Sequence, residues 1–424
     1  MKRFSAIFTV AVLAFSFSVS AQTDIREIIR QDPSKSGAIY TPYHYDTAGD
    51  APAPKGYKPF YISHFGRHGS RWHTSEQIYE TTLGYFAEAE RCGALTELGR
   101  DAYERLKVLS ADAEGMEGQL TPRGRREHRG IAERMYRNYP EVFVKNGHIE
   151  ARSTLVPRCI MSMAAFCERL KELNPSLDIN RGTGKRYLSF LANYDGLNAS
   201  RKMSYADADR FAEGQNIDTV RFMSSLFDRE YADSTLDARK VMRNMYRMSC
   251  ITADVDYLNI SLYDLFTEGE LFDLWRCFNV QNYLNMGPSA AYGDTVMADA
   301  EPLLRQIIED ADDAIANGGR AAFLRFGHDV NVVPLLGCLE VEGLHPRLRF
   351  EELDSLHNYW QSSLVTPMAT NVQMVFFRSK RAGSPVLVKV LHNESPCRLP
   401  LPDDLWPYYR WDDFRNYYLT KIQK

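Results

Sequence analysis

The feature that most constrains this chain is an apolar run, Phe60 to Phe65, that stops in the turn-forming sequence Gly66-Arg67-His68-Gly69-Ser70-Arg71. Such a run, bounded by glycines, reads as a short buried strand, and its break leaves two arginines and a histidine clustered at the strand end. Guanidinium forks match phosphate oxygens, and an imidazole between them stays available for chemistry. Taken alone, an Arg-His pair in a loop is more often a solvated basic turn.

Two further fragments repeat the pattern. Arg158 follows the strand-like stretch His148 to Thr154, and His328-Asp329 follows the apolar run Ala321 to Phe326. In each case the strand pattern gives way to a helical one. Pro157 to Leu173 has Ile160, Ala164, Cys167 and Leu170 inward, and Val330 to Leu339 reads as a buried helix. Ligands of α/β sheets gather at the carboxyl ends of strands, where helix N-termini also favour anions. The three fragments suit one phosphate site, with Arg158 in a first helical turn beside free backbone donors.

At Arg67-His68-Gly69-Ser70-Arg71 the chain resembles the histidine acid phosphatases, the RHGxR-bearing branch of the histidine phosphatase superfamily. Leu120-Thr121-Pro122-Arg123-Gly124 is similar to that family's second motif, Arg152-Ser153-Thr154 through Arg158 to its third, and His328-Asp329 to its last. These landmarks span most of the chain. The resemblance implies an α/β fold with a phosphoglycerate-mutase-like three-layer core sheet and a second, mostly helical lobe inserted. It also implies hydrolysis of phosphate monoesters through a phosphohistidine. His68 would attack phosphorus, Arg67, Arg71, Arg158 and His328 would hold the phosphate, and Asp329 would protonate the departing alcohol. The substrate would be a small phosphorylated molecule of the acid phosphatase, phytase or inositol polyphosphate phosphatase type, and neither a metal nor another cofactor would be required. Some inositol polyphosphate phosphatases of this family carry His-Ala-Glu at the last motif. Here Asp329 follows His328 directly, a departure from that subgroup. Aspartate is also a favoured helix N-cap, a role that can coexist with catalysis.

Two other classes compete. A phosphomutase of the related branch shares the phosphohistidine, but that branch typically lacks the second arginine, so Arg71 argues against it. A non-catalytic phosphate-ester binding protein has no need of both His68 and Asp329. Metal phosphatases need clustered His and carboxylate ligands, and the sequence offers no convincing set.

With 424 residues, 44% of them hydrophobic, the chain can bury a large core in two lobes. Its formal charge of −4 becomes −6 once Lys2 and Arg3 are removed with a leader, which argues against nucleic acid as a partner. Residues 1–21 have that basic start, an apolar stretch from Ala6 to Phe17 and small residues up to Ala21, the pattern of a secretory signal peptide. A secreted or periplasmic location after cleavage near Ala21 is expected, with no later membrane span. Seven cysteines lack metal-ligand spacing; at least one must be free or intermolecular, and Cys159, Cys167 and Cys338 read as small core residues.

Residues 24–58 read as an irregular wrap with no evident chemistry. Thr74 to Ser110 is helical, with Ile78, Leu83, Phe86, Leu95, Leu98, Leu106 and Leu109 as its apolar positions, and His73 is placed on a surface loop. Thr121 caps a helix that begins at Pro122, with Ile131, Met135 and Tyr139 inward. Its Arg123, Arg125, Arg126 and Arg129 either face an anion or are solvated, and solvation is the more ordinary outcome. Arg152, within the third motif, could instead be a structural ion-pairing residue and is left outside the catalytic set. The α/β catalytic domain is assigned to 22–173 and 303–424, with a helical excursion near 74–120. Residues 174–302 form the helical insertion, with helices expected over Met223 to Met248, Ile260 to Trp275 and Pro302 to Ile315. Its Arg181, Lys185, Arg186, Arg201 and Lys202 either bind extra substrate phosphates or form a solvated face. Asn371 to Arg378 and Val386 to Leu391 read as alternating strands of an antiparallel hairpin.

Overall fold

The computed structural model describes residues 24–45, 52–144, 147–192 and 199–422, the side chains of 199 to 201 excepted. The leader and the Arg201 side chain lie outside these described residues. Eight strands form one sheet: β1 (Tyr57–Arg67), β2 (His148–Ser153), β3 (Asp178–Thr183), β4 (Arg320–Gly327), β5 (Asn371–Ser379), β6 (Leu387–His392), β7 (Ser395–Pro396) and β8 (Tyr409–Arg410). The spatial order is β3-β2-β4-β1-β5-β6-β7, with β8 also pairing β6. The first four strands run parallel, and β5 and β6 add an antiparallel hairpin beside β1.

Successive strand residues point to opposite faces. Tyr61, Phe65 and Phe323 therefore enter one core with the helices Glu301–Asn317 and Asp329–Cys338, while Ile62, Leu324 and Phe326 enter another with Pro122–Asn138 and Pro157–Leu173. Helices cover both faces, giving the three-layer α/β architecture. A third core contains no strand. Phe86, Leu106 and Leu109, from the helices Gln77–Arg91 and Glu97–Ala113, pack with Phe222, Met245 and Trp275 of helices farther along the chain.

Several local expectations are corrected. β1 is longer than Phe60 to Phe65 and runs through Gly66, which still pairs with Phe326 on one side and Asn371 on the other. The glycine is there for space: a Cβ would lie 2.7 Å from Cε1 of the His64 ring. β3 falls where strand patterning is weak, because it is an edge strand with mostly exposed side chains. β5 is buried on both faces over Asn371 to Phe377, so its pattern is continuous rather than alternating. In the helix Pro157–Leu173 the fully buried stripe is Cys159, Met163, Phe166, Cys167 and Leu170, while Ile160 and Ala164 are half-buried. Leu98 is exposed.

Caps divide the lobe more finely than its apolar pattern suggests. Asp228 and Asp237 each accept a first-turn N–H, so the stretch from Met223 to Met248 lies across three helices, Val220–Leu226, Arg229–Thr235 and Ala238–Thr252. Thr267 and Glu270 close a reciprocal capping box, and the next helix is Glu268–Met286 rather than one starting at Ile260. All seven cysteines are free thiols. Among the described residues no helix is long and apolar enough to cross a membrane.

Candidate active site

Strand register brings the three fragments level. Arg67 of β1 stands opposite Gly327 of β4, and Phe326 opposite Ser153 of β2. The chain is still tied where the strands end: His68 N–H donates to Gly327 O at 3.0 Å, and Thr154 N–H to Phe326 O at 3.1 Å. His328 is then the N-cap of Asp329–Cys338, and Arg158 is the second residue of Pro157–Leu173, whose N-cap Val156 offers no side-chain bond. All six predicted site residues converge on this carboxyl edge of the sheet. Asp329 is the first residue inside its helix rather than the N-cap, though its Oδ1 accepts the Val330 N–H at 2.9 Å.

Arg67 is fully buried and divides its guanidinium. Nη1 donates to Ile39 O at 2.7 Å and Thr366 O at 2.8 Å, while Nη2 lies 2.9 Å from Oδ2 of Asp329. Arg71 donates from Nη1 to its neighbour's carbonyl, Trp72 O, at 2.9 Å and rests over the Tyr40 ring at 5.0 Å. Arg158 has one long bond, 3.4 Å to Gly118 O. The Nε donors of all three arginines are buried and have no hydrogen-bond partner among the described residues. Buried cationic donors pointing at no protein acceptor suit an anion.

His68 Nδ1 lies 2.9 Å from the carbonyl oxygen of Gly69. A carbonyl only accepts, so Nδ1 carries the proton and Nε2 keeps its lone pair. Burial first, then the charges of Arg67, Arg158 and Arg71, hold the His68 imidazolium well below its usual range, so the ring is neutral. The His328 ring is 5.6 Å from it, centroid to centroid, with Nε2 3.3 Å from Thr154 Oγ1. His328 is pushed down to about 3, by burial ahead of Arg158, and it too is neutral. For Asp329, burial favours the protonated acid, but the charges of Arg67 and Arg71 outweigh it and hold the carboxyl below the usual carboxylate range.

Some expectations fail here. His73 is buried, not on the surface, and its Nε2 lies 2.8 Å from Arg247 O, so that nitrogen donates to a carbonyl and does not serve as an acid. The segment 24–58 does carry chemistry, through Ile39 O on Arg67 and Tyr40 under Arg71. On the helix Pro122–Asn138, Arg123 and Arg126 pair with Asp256 and Arg129 with Glu172, while Arg125 is exposed. Arg152 pairs with Glu150, the structural one of its two alternatives. Arg181, Lys185, Arg186 and Lys202 are exposed. Sequence reasoning passed over Glu127, which accepts Ser70 N–H and Ser70 O–H at 2.8 Å each and so fixes the turn between His68 and Arg71. Its one signal is an acid in the middle of an arginine-rich helix.

Comparison with known proteins gives the family and the fold. The family model described as "Histidine phosphatase superfamily (branch 2)" matches residues 66–393. The chain is 22% identical over 386 residues to the human multiple inositol polyphosphate phosphatase 1, covering 84% of this chain and 78% of that protein. The chicken protein of the same name is 21% identical over 382 residues, covering 84% and 80%. Among solved structures, the Bifidobacterium longum multiple inositol polyphosphate phosphatase in complex with inositol hexasulfate superposes with a TM-score of 0.74 at 20% identity, covering 90% of this chain and 97% of that one. The phytase from D. castellii gives 0.71 at 14% identity, covering 92% and 85%. The family match spans more than three quarters of the sequence and contains the whole of the carboxyl-edge cluster: the chain belongs to the histidine phosphatase superfamily, branch 2.

Proposed function

We propose that this phosphomonoester hydrolase works through His68 as the nucleophile and that inositol polyphosphates are its substrate class. The observation that carries the first part is the Nδ1 bond to Gly69 O, which commits the tautomer and leaves Nε2 as the lone pair among three guanidiniums. In the first step Nε2 forms a bond to phosphorus as the ester P–O bond breaks. Asp329 gives a proton to the departing oxygen. In the second step water attacks phosphorus, the N–P bond breaks, a proton passes to Asp329 and inorganic phosphate leaves. Arg67, Arg71, Arg158 and His328 spread the charge of the transferring group, the main demand of this chemistry.

Asp329 is ionised while Arg67 is its partner. Phosphate oxygens arriving on Arg67 and Arg71 weaken that hold, and a monoanionic ester brings the proton the acid needs. The substrate class is supported by the names of the relatives and by the inositol hexasulfate complex of the similar structure. Location outside the cytoplasm is supported by the composition of residues 1–21.

The test is phosphate release by the purified protein from inositol hexakisphosphate, sugar phosphates and bisphosphoglycerate. Inositol hexakisphosphate is expected to give the highest kcat/KM. An equal response to all three esters would instead mark a general scavenging phosphatase. His68→Ala should abolish turnover while phosphate binding remains measurable, and phosphate trapped on any residue other than His68 would sink the assignment.

A further inference from the structure

Behind the phosphate pocket lies a carboxyl group that the mechanism does not use. Asp254 is 0% exposed, and neither of its oxygens has a hydrogen-bond partner at bonding geometry among the described residues. It faces the Ser70 hydroxyl, with a second buried carboxylate, Glu127, close by. Glu127 takes the Ser70 N–H on Oε2, and on Oε1 both the Ser70 O–H at 2.8 Å and the Tyr43 N–H at 3.0 Å.

The proton count then decides the state of Asp254. Ser70 has one hydroxyl proton, and it goes to Glu127. Its oxygen can only accept from a further partner. An ionised Asp254 would set a bare carboxylate against that lone pair beside a second anion, at a depth where an unpaired charge costs several kcal/mol or more. A protonated Asp254 donates to Ser70 Oγ and completes a chain from acid to hydroxyl to Glu127.

We propose that Asp254 is a positioning residue: as a neutral carboxylic acid it holds Ser70, and through Ser70 it fixes the guanidinium of Arg71 in the phosphate pocket. The turn is built to transmit such a restraint. Ser70 O accepts from Thr121 N at 2.9 Å and Thr121 Oγ1 at 3.0 Å, and Arg71 bridges Leu120. Gly69 lies so close to the helix Pro122–Asn138 that a Cβ there would sit 2.6 Å from Gly124 O. With the backbone pinned on that side, the Ser70 side chain sets how Arg71 leaves the turn.

The charged groups around Asp254 are Arg71, Arg123 and Glu127, with Arg67 beyond them; Tyr263, Tyr79 and Cys250 are its neutral titratable neighbours. Burial, with the Glu127 charge, holds the acid well above the carboxylate range against the charges of Arg71 and Arg123. The inference rests on the phosphate role proposed for Arg71.

Inhibition by inorganic phosphate and infrared difference spectra at pH 7 test it. Asp254→Asn can donate an N–H to Ser70 as the acid does, and should keep the phosphate inhibition constant within about threefold. Asp254→Ala should raise it about tenfold or more, the loss expected for one misplaced charged hydrogen bond. Where Asp254→Ala does not fold, Ser70→Ala removes the same link and should show the same rise. The spectrum of the parent minus Asp254→Asn should contain the carbonyl stretch of a protonated carboxyl. Absence of that band, parental affinity in Asp254→Ala or Ser70→Ala, or equal weakening in Asp254→Asn and Asp254→Ala would overturn the proposal. Arg71→Ala separates the two readings: if it binds phosphate like the parent, the site reading fails, whereas if it weakens while Asp254→Ala does not, only the Asp254 inference fails.

Discussion

Arg67 and Asp329 meet across the strand ends, Nη2 to Oδ2 at 2.9 Å, from residues 262 positions apart in the sequence. The same guanidinium is held from its other nitrogen by Ile39 O and Thr366 O. One buried side chain therefore anchors two loops and restrains the proposed acid. A lysine carries the charge but is a single point donor without the planar fork. Arg67→Lys should cost roughly 2–4 kcal/mol of stability, because at least one buried carbonyl and the Asp329 carboxylate lose their donor. Denaturant unfolding measures this, and a loss under about 0.5 kcal/mol would show that the anchoring is not needed.

Asp329 is expected to matter in proportion to how poorly the leaving group departs. An alkoxide needs a proton and para-nitrophenolate does not, so Asp329→Asn should slow inositol and alkyl phosphates by about 10²–10⁴ and para-nitrophenyl phosphate far less. Asparagine still accepts the Val330 N–H, so the helix start is preserved. Rates for both esters at one pH decide it; equal, small losses would remove Asp329 from the chemistry.

Acid should act on the fold through a buried histidine pair. His64 and His128 are packed against Phe326 and are each pushed down from 6.5 to about 3, chiefly by burial. Above pH 6.5 both folded and unfolded chains carry them neutral. Between 6.5 and 3 the unfolded chain binds protons that the folded one refuses, so stability falls as pH falls. His128→Leu should therefore lose less melting temperature between pH 7 and pH 4 than the parent, by an amount corresponding to about 1–3 kcal/mol. An identical loss in both proteins would count against the pair.

Catalysis should persist in chelator. Three guanidiniums already supply the charge neutralisation that a divalent ion provides in metal phosphatases, and the neutral His328 adds a hydrogen bond. Turnover of para-nitrophenyl phosphate with and without excess EDTA measures this. Complete loss, restored by one metal, would require a different mechanism.

How far the sequence reaches differs from residue to residue. Arg67, His68 and Arg71 were legible because an apolar run breaks there into a glycine-bounded turn, and Arg158, His328 and Asp329 because a strand-like run gives way there to a helix start; both signals are local. The hairpin of β5 and β6 and the helix from Pro122 were legible for the same reason: breakers and caps act within a few residues. β3 was not, since an edge strand buries too little to leave a pattern.

Sequence alone thus determined which side chains lie at the strand ends and, through the ordered motifs, the family they belong to. Tertiary structure decided their states. Which nitrogen of His68 is free depends on its orientation toward Gly69 O; whether Asp329 is ionised depends on Arg67; and Glu127 and Asp254 matter only because Ser70 is brought between them. Those outcomes are set by burial and by charges that meet across long stretches of chain. Proton affinity follows the dielectric and the nearest charges in space, and neither is written in the local order of residues.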